Sequence, residues 1–219
     1  MKIDVTRADW RRAGETHRLF SAKPHAEHIA SKFALAHLAA ILRTYDVRSV
    51  LEFGAGIGTL TYLLLASRHD LTVVCTERKS LCLNCLEQNI PSGMRERLTI
   101  HAENPPSIEG TFDLVIIDGK IKNALFLKPG SISFVEGQRT RERRNLETLL
   151  NEYGMTCEFT NHLQWRLEIA WQRPKWRPLR RLRGWGMEEI KVPILVRRKG
   201  CWIGRVEPVR ALQGVRAGF

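Results

Sequence analysis

The residues most clearly suited to bind a ligand lie in a glycine-rich turn. After a short apolar run, an acidic residue and three glycines follow at alternate positions, as Glu52, Gly54, Gly56 and Gly58. Glycine permits a tight turn and lets a ligand approach the backbone without a Cβ in the way. The spacing predicts the edge of a cofactor site of the nucleotide type.

Two kinds of cofactor site use such a turn. The dinucleotide fingerprint G-x-G-x-x-G places its third glycine where this chain has Thr59, whereas Gly58 comes one position earlier. Glu52 would also face a pyrophosphate with like charge, but it would favour a ligand that carries an ammonium group. These residues argue against a dinucleotide.

Alternating strand and helix patterns surround the turn and must position it. Periods of 3.6 residues predict helices over residues 24–44, 58–67, 79–88 and 139–153. Apolar runs predict strands over residues 49–53, 71–76, 98–102, 112–118 and 130–136. Residues 1–23 show no sustained period. This alternation predicts a doubly wound, mostly parallel α/β sheet.

The pattern is less regular in the last third of the chain. Residues 165–172, 191–197 and 200–206 are strand-like, and the last of these is the candidate for the final strand. A basic, proline-interrupted insertion, residues 173–184, precedes it. We divide the chain into a polar N-terminal segment (1–23), an α/β core (24–160) and a basic, tryptophan-rich part that completes the sheet (161–219).

The turn resembles motif I of the class I methyltransferases that use S-adenosylmethionine. Glu52, Gly54, Gly56 and Gly58 after a strand are similar to that motif. Glu77, at the end of the next strand, is similar to the acidic residue that binds both ribose hydroxyls in this family. The resemblance implies a seven-stranded Rossmann-like sheet with the last strand between the fifth and the sixth. It also implies S-adenosylmethionine as the cofactor.

The same resemblance implies roles for individual residues. The three glycines of the turn would contact the methionine part of the cofactor, and Glu52 would position its ammonium group, directly or through water. Glu103 follows the third strand, in the region that holds the adenine. Residues 112–119 resemble motif IV, where the methyl group is presented to the acceptor.

Asp118 and Lys120 are the candidate catalytic residues. They follow the fourth strand at its carboxyl end, where open α/β sheets bind ligands. A sulfonium methyl group is already reactive, so the protein mainly aligns the acceptor, and a base helps where the acceptor is a hydroxyl or a protonated amine. We expect Asp118 to position the acceptor or to act as a general base, and we expect Lys120 to bind an anionic group of the acceptor. His25 is a further acceptor-side candidate.

Asp118 and the two residues after it are also similar to the metal-dependent catechol-type O-methyltransferases. Those enzymes complete a magnesium site with an Asp-Asn pair after strand five, where this chain has Glu136, a glycine and a glutamine. Asp118 and Glu136 alone supply too few oxygen ligands for a hard cation. No metal is therefore predicted.

The chain is strongly basic, with a net charge of +12 that is unevenly distributed. From Arg166 to the end there are 14 Lys/Arg and four Asp/Glu, and another arginine cluster spans residues 139–144. Arginine clusters bind phosphate or carboxylate groups, and interleaved tryptophans can stack on bases. We expect an anionic acceptor, either RNA or a phosphorylated, carboxylated or sugar-bearing small molecule. The alternative is that the tryptophans pack the terminal strands and the arginines are solvated.

The remaining features of the sequence indicate the cellular compartment. No apolar run is long enough to span a bilayer, the N-terminus lacks the apolar part of a secretory signal, and five cysteines fit a reducing compartment. We expect a cytoplasmic enzyme that does not bind membranes. The alternative from another class is a non-catalytic Rossmann-like protein that binds nucleic acid. The intact glycine turn and Glu77 argue against it, because a scaffold has no need of them all.

Overall fold

The computed structural model describes residues 1, 3–102, 108, 110–119, 121, 124, 126–137, 139–172 and 190–209. The chain forms two compact units, one of Met1–His162 and Gly200–Phe219 and the other of Leu163–Lys199. In the second unit, residues 163–172 and 190–199 are strand. The basic insertion predicted at 173–184 lies outside the described residues.

Seven strands form the sheet: β1 (Ser49–Phe53), β2 (Thr72–Thr76), β3 (Leu98–His101), β4 (Leu114–Ile117), β5 (Ile132–Glu136), β6 (Met155–Gln172) and β7 (Ile190–Pro208). Their spatial order is β3-β2-β1-β4-β5-β7-β6. Strands β1 to β5 are parallel, and β7 runs antiparallel to β5. The seven-stranded Rossmann-like sheet is confirmed, including the last strand between the fifth and the sixth.

The described helices are α1 (Arg7–Ser21), α2 (Lys32–Thr44), α3 (Thr59–Ser67), α4 (Ser80–Asn89), α5 (Ser92–Arg95) and α6 (Thr140–Glu152). From β1 to α6 the predicted elements agree with the structure to within two residues at each end, and only the short α5 was not predicted. Between β4 and β5 the described residues contain no helix. Among the described helices, none is long and apolar enough to cross a bilayer.

Helix α1 occupies most of the N-terminal segment to which the sequence assigned no element. Its buried positions follow a helical period, but two of the four are polar: Asp9, Ala13, Thr16 and Phe20. Asp9 is buried because it completes a capping box with Thr6 and pairs with an arginine of α2, Arg43, at 3.2 Å. The two polar members hid the period from a search for apolar residues.

The prediction that one helix begins near residue 24 is wrong. Helix α2 begins at Lys32, where the Ser31 hydroxyl accepts the N–H of Ala34 at 3.2 Å and caps the helix. Before it lies a short 3₁₀ turn, Ala26–His28, preceded by His25 in the left-handed conformation (φ +63°). A left-handed residue cannot continue an α-helix, so the segment between α1 and α2 forms a separate loop.

The strands predicted near the C-terminus are parts of two longer ones. Residues 165–172 belong to β6, which starts ten residues earlier, and both 191–197 and 200–206 belong to the continuous β7. At the start of β6, Met155 and Cys157 are buried while Thr156 and Glu158 are exposed. This alternation, typical of a strand buried on one face, was missed because it is short and follows a helix.

Helices cover both faces of the sheet, so each face of a strand packs in its own core. Val50 packs in the core formed with α2, α3 and α4, whereas Leu51 and Phe53 pack in the core formed with α6. Because side chains alternate along a strand, Glu52 points to the same face as Val50. The order of the strands reverses between β1 and β4, which makes the carboxyl ends of these strands the expected ligand site.

Candidate active site

A cavity of about 410 Å³ lies at the carboxyl edge of the sheet, at the point where the strand order reverses. Its wall comes from the turns after β1, β2 and β4, the start of α6 and the loop between α1 and α2. The charged side chains in the wall that follow a strand are Glu77, Arg78, Lys79, Asp118 and Arg139. The volume and the mixed lining are typical of small-molecule sites.

The first two glycines of the turn belong to the cavity wall. Gly54 has φ +87°, and a Cβ there would lie 3.1 Å from the backbone C and O of Asp118. The turn after β1 is therefore packed directly against the end of β4. Gly56 has φ +56°, and a Cβ there would meet no described protein atom within 4 Å. Gly56 is the position where a side chain would enter open space at the cavity wall.

Gly58 has a different reason to be glycine. It has φ +94° and precedes α3 as its N-cap. A Cβ at Gly58 would lie 2.6 Å from Cδ1 of Leu86 in α4, and the residue is not part of the cavity wall. Its predicted contact with a cofactor stays a prediction, while packing between α3 and α4 already explains why it is glycine.

The backbone N–H groups of the turn are engaged within the protein. Those of Gly54 and Ala55 both donate to the carbonyl of Thr76 at 3.0 Å. The N–H of Gly56 donates to Oε2 of Glu77 at 2.9 Å. The sequence suggested that these groups face a polar ligand, but they are already paired, and a carboxylate adjoins them. The turn is therefore unlike the anion-binding nests that hold phosphates.

Glu77 is fixed in place at the end of β2. Its Oε1 accepts the N–H groups of Arg78 and Lys79, both at 2.8 Å, and its Oε2 accepts that of Gly56. A carboxylate offers about four lone-pair sites. About one therefore remains for a hydroxyl donor in the cavity, on a carboxylate whose orientation is set before any ligand binds.

Glu52 lies inside the protein, and among the described residues it is not part of the cavity wall. Its Oε2 accepts the hydroxyl of Thr61 at 2.6 Å, while its buried Oε1 has no hydrogen-bond partner among the described residues. Burial raises the pKa of Glu52 to about 8, and the nearby carboxylates of Asp118 and Glu77 add to the rise. The carboxyl is therefore mostly protonated at neutral pH without a cationic partner.

Asp118 stands at the carboxyl end of β4, as predicted from the sequence. Its N–H donates to the carbonyl of Phe53 at 2.9 Å, which ties the ends of β1 and β4 together. Its carboxylate forms an ion pair with the guanidinium of Arg139, and both side chains are partly exposed, at 23% and 39%. The structure thus places a carboxylate and a guanidinium side by side in the cavity wall.

The predicted arginine cluster at 139–144 divides into residues with different surroundings. Arg143 pairs with Glu147, and its guanidinium lies 4.7 Å from the ring centroid of Trp202. Arg141 and Arg144 are exposed, and only Arg139 lines the cavity. The other two predicted site residues, Glu103 and Lys120, lie outside the described residues.

Some wall residues were not selected from the sequence. Arg78 and Lys79 were missed, although their position directly after Glu77 at the end of a strand was a usable signal. His25 and His28 of the loop between α1 and α2 also line the cavity. Among the described non-glycine residues, His25, the further acceptor-side candidate, has a positive φ, and such backbone conformations are enriched at functional sites.

In the part of the chain that the structure describes, no group of three or more His, Cys, Asp or Glu side chains is arranged to hold a metal ion. Among the described residues of the cavity wall, Arg139 forms an ion pair with Asp118.

Several solved structures share this fold. A SAM-dependent O-methyltransferase from Thermotoga maritima superimposes with a TM-score of 0.59 and 14% identity, over 90% of this chain and 72% of that one. The C-terminal domain of precorrin-6Y C5,15-methyltransferase from Rhodobacter capsulatus gives 0.55 and 16%, over 88% and 97% of the chains. An O-methyltransferase from Bacillus cereus, determined with SAH, gives 0.53 and 14%, over 92% and 91%. The chain therefore has the class I methyltransferase fold.

Sequence comparison adds nothing at the family level. No protein-family model matches the chain, and no curated protein matches it in sequence.

Proposed function

We propose that the protein is an S-adenosylmethionine-dependent methyltransferase that acts on an anionic acceptor. The observation that carries the proposal is the carboxylate of Glu77, held by three backbone N–H groups beside the open position at Gly56 in the cavity wall. The shared fold and the resemblance of the glycine turn to motif I support it.

The cavity fits this cofactor better than a dinucleotide. The remaining acceptor site of Glu77 suits a ribose hydroxyl, and the absence of a Cβ at Gly56 leaves room beside it. A phosphate would face the carboxylate of Glu77 with like charge, whereas a nearby ammonium group would favour the ionised form of Glu52, whose buried Oε1 has no hydrogen-bond partner among the described residues. The N–H groups of Gly54 and Ala55 are also already paired with Thr76, and that of Gly56 with Glu77.

The cofactor, when bound, supplies a methyl group activated by the positive charge on sulfur. The protein then has to hold an acceptor in line with that group and keep competing solvent away. In this proposal Asp118, which lies at the carboxyl end of β4, accepts a hydrogen bond or a proton from an acceptor hydroxyl or amine. Roles for Lys120 at the acceptor and Glu103 at the adenine stay part of the proposal.

The anionic class of the acceptor rests on charge. Residues 163–199 contain 11 Lys/Arg and three Asp/Glu, a surplus of eight out of the net +12 of the chain. Such a surplus in 37 residues favours a polyanion such as RNA, or a phosphorylated or carboxylated small molecule. The division into three segments and a cytoplasmic location belong to the same proposal.

Calorimetry with S-adenosylhomocysteine tests the cofactor. Removing the carboxylate in Glu77→Ala should weaken binding roughly tenfold or more, since hydrogen bonds to a charged group contribute about 1.5–3 kcal/mol. The matched control is Asp70→Ala, which removes an equal charge from the other end of β2, where Asp70 is exposed and pairs with Arg68. Absence of binding by the wild type, or equal affinities for both variants, would refute the proposal.

A radiolabelled methyl-transfer assay on fractionated cell extract tests the acceptor, because it separates RNA, protein and small molecules in one experiment. Label in an RNA or acidic small-molecule fraction is expected. RNA binding that depends on salt, together with no cofactor binding and no label transfer, would instead identify the non-catalytic alternative.

A further inference from the structure

The ion pair with Asp118 distinguishes one arginine from the others that follow β5. Arg139 lines the cavity, whereas Arg143 is held by Glu147 and Trp202, and Arg141 points to solvent as an exposed residue of the same helix. Of the arginines at 139–144 that the sequence predicts to bind anions, only Arg139 therefore lines the cavity.

Helix stability does not explain an arginine at this position. Arg139 is the N-cap of α6, and its side chain makes no capping hydrogen bond. Helix N-termini favour Ser, Thr, Asp or Asn at the cap and disfavour positive charge. Residues that break a local rule are expected at functional sites, and Arg139 lies in the wall of the candidate site.

The guanidinium has donors to spare. It carries five N–H bonds in a planar fork, and its ion pair with Asp118 engages only one edge of that fork. The Arg139 side chain is 39% exposed, so part of its guanidinium is accessible from the cavity, although its buried Nε has no hydrogen-bond partner among the described residues. Carboxylate and phosphate groups match the fork in geometry and charge.

We propose that Arg139 binds the anionic group of the methyl acceptor, a carboxylate or a phosphate, next to Asp118. The proposal rests on the function proposed above and adds the residue that selects the acceptor. It places the anion at the carboxyl ends of β4 and β5, so that the acceptor's reacting atom lies within reach of the Asp118 carboxylate.

The test measures how tightly small anions bind to the protein when it is saturated with S-adenosylhomocysteine. Inorganic phosphate and benzoate are titrated separately at constant ionic strength, and their affinities are read from the shift in melting temperature and from calorimetry. The two anions distinguish a phosphate acceptor from a carboxylate one. The variants are Arg139→Gln, Arg139→Lys and, as the matched control, Arg141→Gln, which changes the same charge in the first turn of α6 outside the cavity.

Arg139→Gln should weaken the preferred anion roughly tenfold to a hundredfold relative to Arg141→Gln, because charge-assisted hydrogen bonds are lost. Arg139→Lys should fall between the wild type and Arg139→Gln, since it keeps the charge without the fork. Equal affinities for the two glutamine variants, or no saturable anion binding by the wild type, would overturn the proposal.

Failure of this proposal can be told apart from failure of the proposed function. The affinity for S-adenosylhomocysteine is measured on the same variants and should remain within about twofold of the wild type, because Arg139 is assigned to the acceptor and not to the cofactor. Cofactor binding without anion discrimination would remove only the role of Arg139. Loss of cofactor binding in the wild type itself would remove the methyltransferase proposal.

Discussion

Replacing Gly56 by alanine separates the two reasons for a glycine in the turn, namely backbone conformation and space for a ligand. Gly56 has φ +56°, and its missing Cβ would meet no described protein atom. Gly154, between α6 and β6, has φ +66°, is likewise free of neighbouring described atoms and is not part of the cavity wall. Gly154→Ala therefore carries the same backbone cost without the effect on a ligand.

The expected stability losses are small and equal. A left-handed conformation costs an L-residue about 1–2 kcal/mol, and the lower entropy of the unfolded alanine chain offsets about 0.4–1 kcal/mol of that. The net loss is about 1 kcal/mol for each variant, or a fall in melting temperature of roughly 2–4 °C in a chain of this size.

The expected binding losses differ. A methyl group forced into space that a ligand occupies costs about 1–3 kcal/mol by analogy with overpacked cores. At about 1.4 kcal/mol for each factor of ten, Gly56→Ala should bind S-adenosylhomocysteine roughly 5- to 140-fold more weakly. Gly154→Ala should bind it as the wild type does.

Isothermal calorimetry measures the affinity of each variant for S-adenosylhomocysteine, and thermal unfolding measures its stability. Equal affinities for Gly56→Ala and Gly154→Ala would contradict a contact between this turn and the cofactor. A much larger stability loss at Gly56 than at Gly154 would refute the backbone part, because it would show that a Cβ at Gly56 meets protein.

Two further predictions concern pH. Burial raises the pKa of Glu52 from 4.5 to about 8, so between these pH values the folded protein keeps a proton that the unfolded chain has released. The wild type therefore loses the stability due to this group as pH rises through that window. Glu52→Gln should remove this loss, because glutamine does not titrate. His37→Gln should flatten the acid side, because burial against the rings of Phe33 and His162 holds the pKa of His37 below 6.5 and the unfolded chain is protonated first as pH falls. Urea unfolding at intervals from pH 5 to 9 checks both, and a variant curve parallel to that of the wild type would contradict the corresponding assignment.

The core of the fold was predictable because its sequence signals are local. The apolar run at β1, the glycine turn and the helix after it follow one another within 20 residues, and the structure places them almost where the patterns did. Helix α1 was not predicted, since its buried face includes the polar residues Asp9 and Thr16, and Asp9 has partners in the Thr6 cap and in Arg43 of α2. The start of β6 was not predicted because its alternation of buried and exposed residues is short and follows a helix.

The candidate site was predictable only in part. The sequence placed Glu77 and Asp118 at strand ends, and the structure brings both to one cavity wall. It could not separate Arg139 from the arginines that follow, because all are close in sequence and only the direction of each side chain from α6 decides whether it meets Asp118, Trp202 or solvent.

Local sequence patterns were enough to predict the succession of strands and helices in the core, the glycine turn and the acidic residues beside it, because apolar periodicity and the need for positive φ are properties of short segments. The tertiary structure alone decided what the turn does. In the folded protein the N–H groups of Gly54 and Gly56 are paired with other protein groups, and burial raises the pKa of Glu52. Gly58 packs against Leu86 of α4. Those outcomes depend on atoms from β2, β4 and α4 that the chain brings to the turn only on folding.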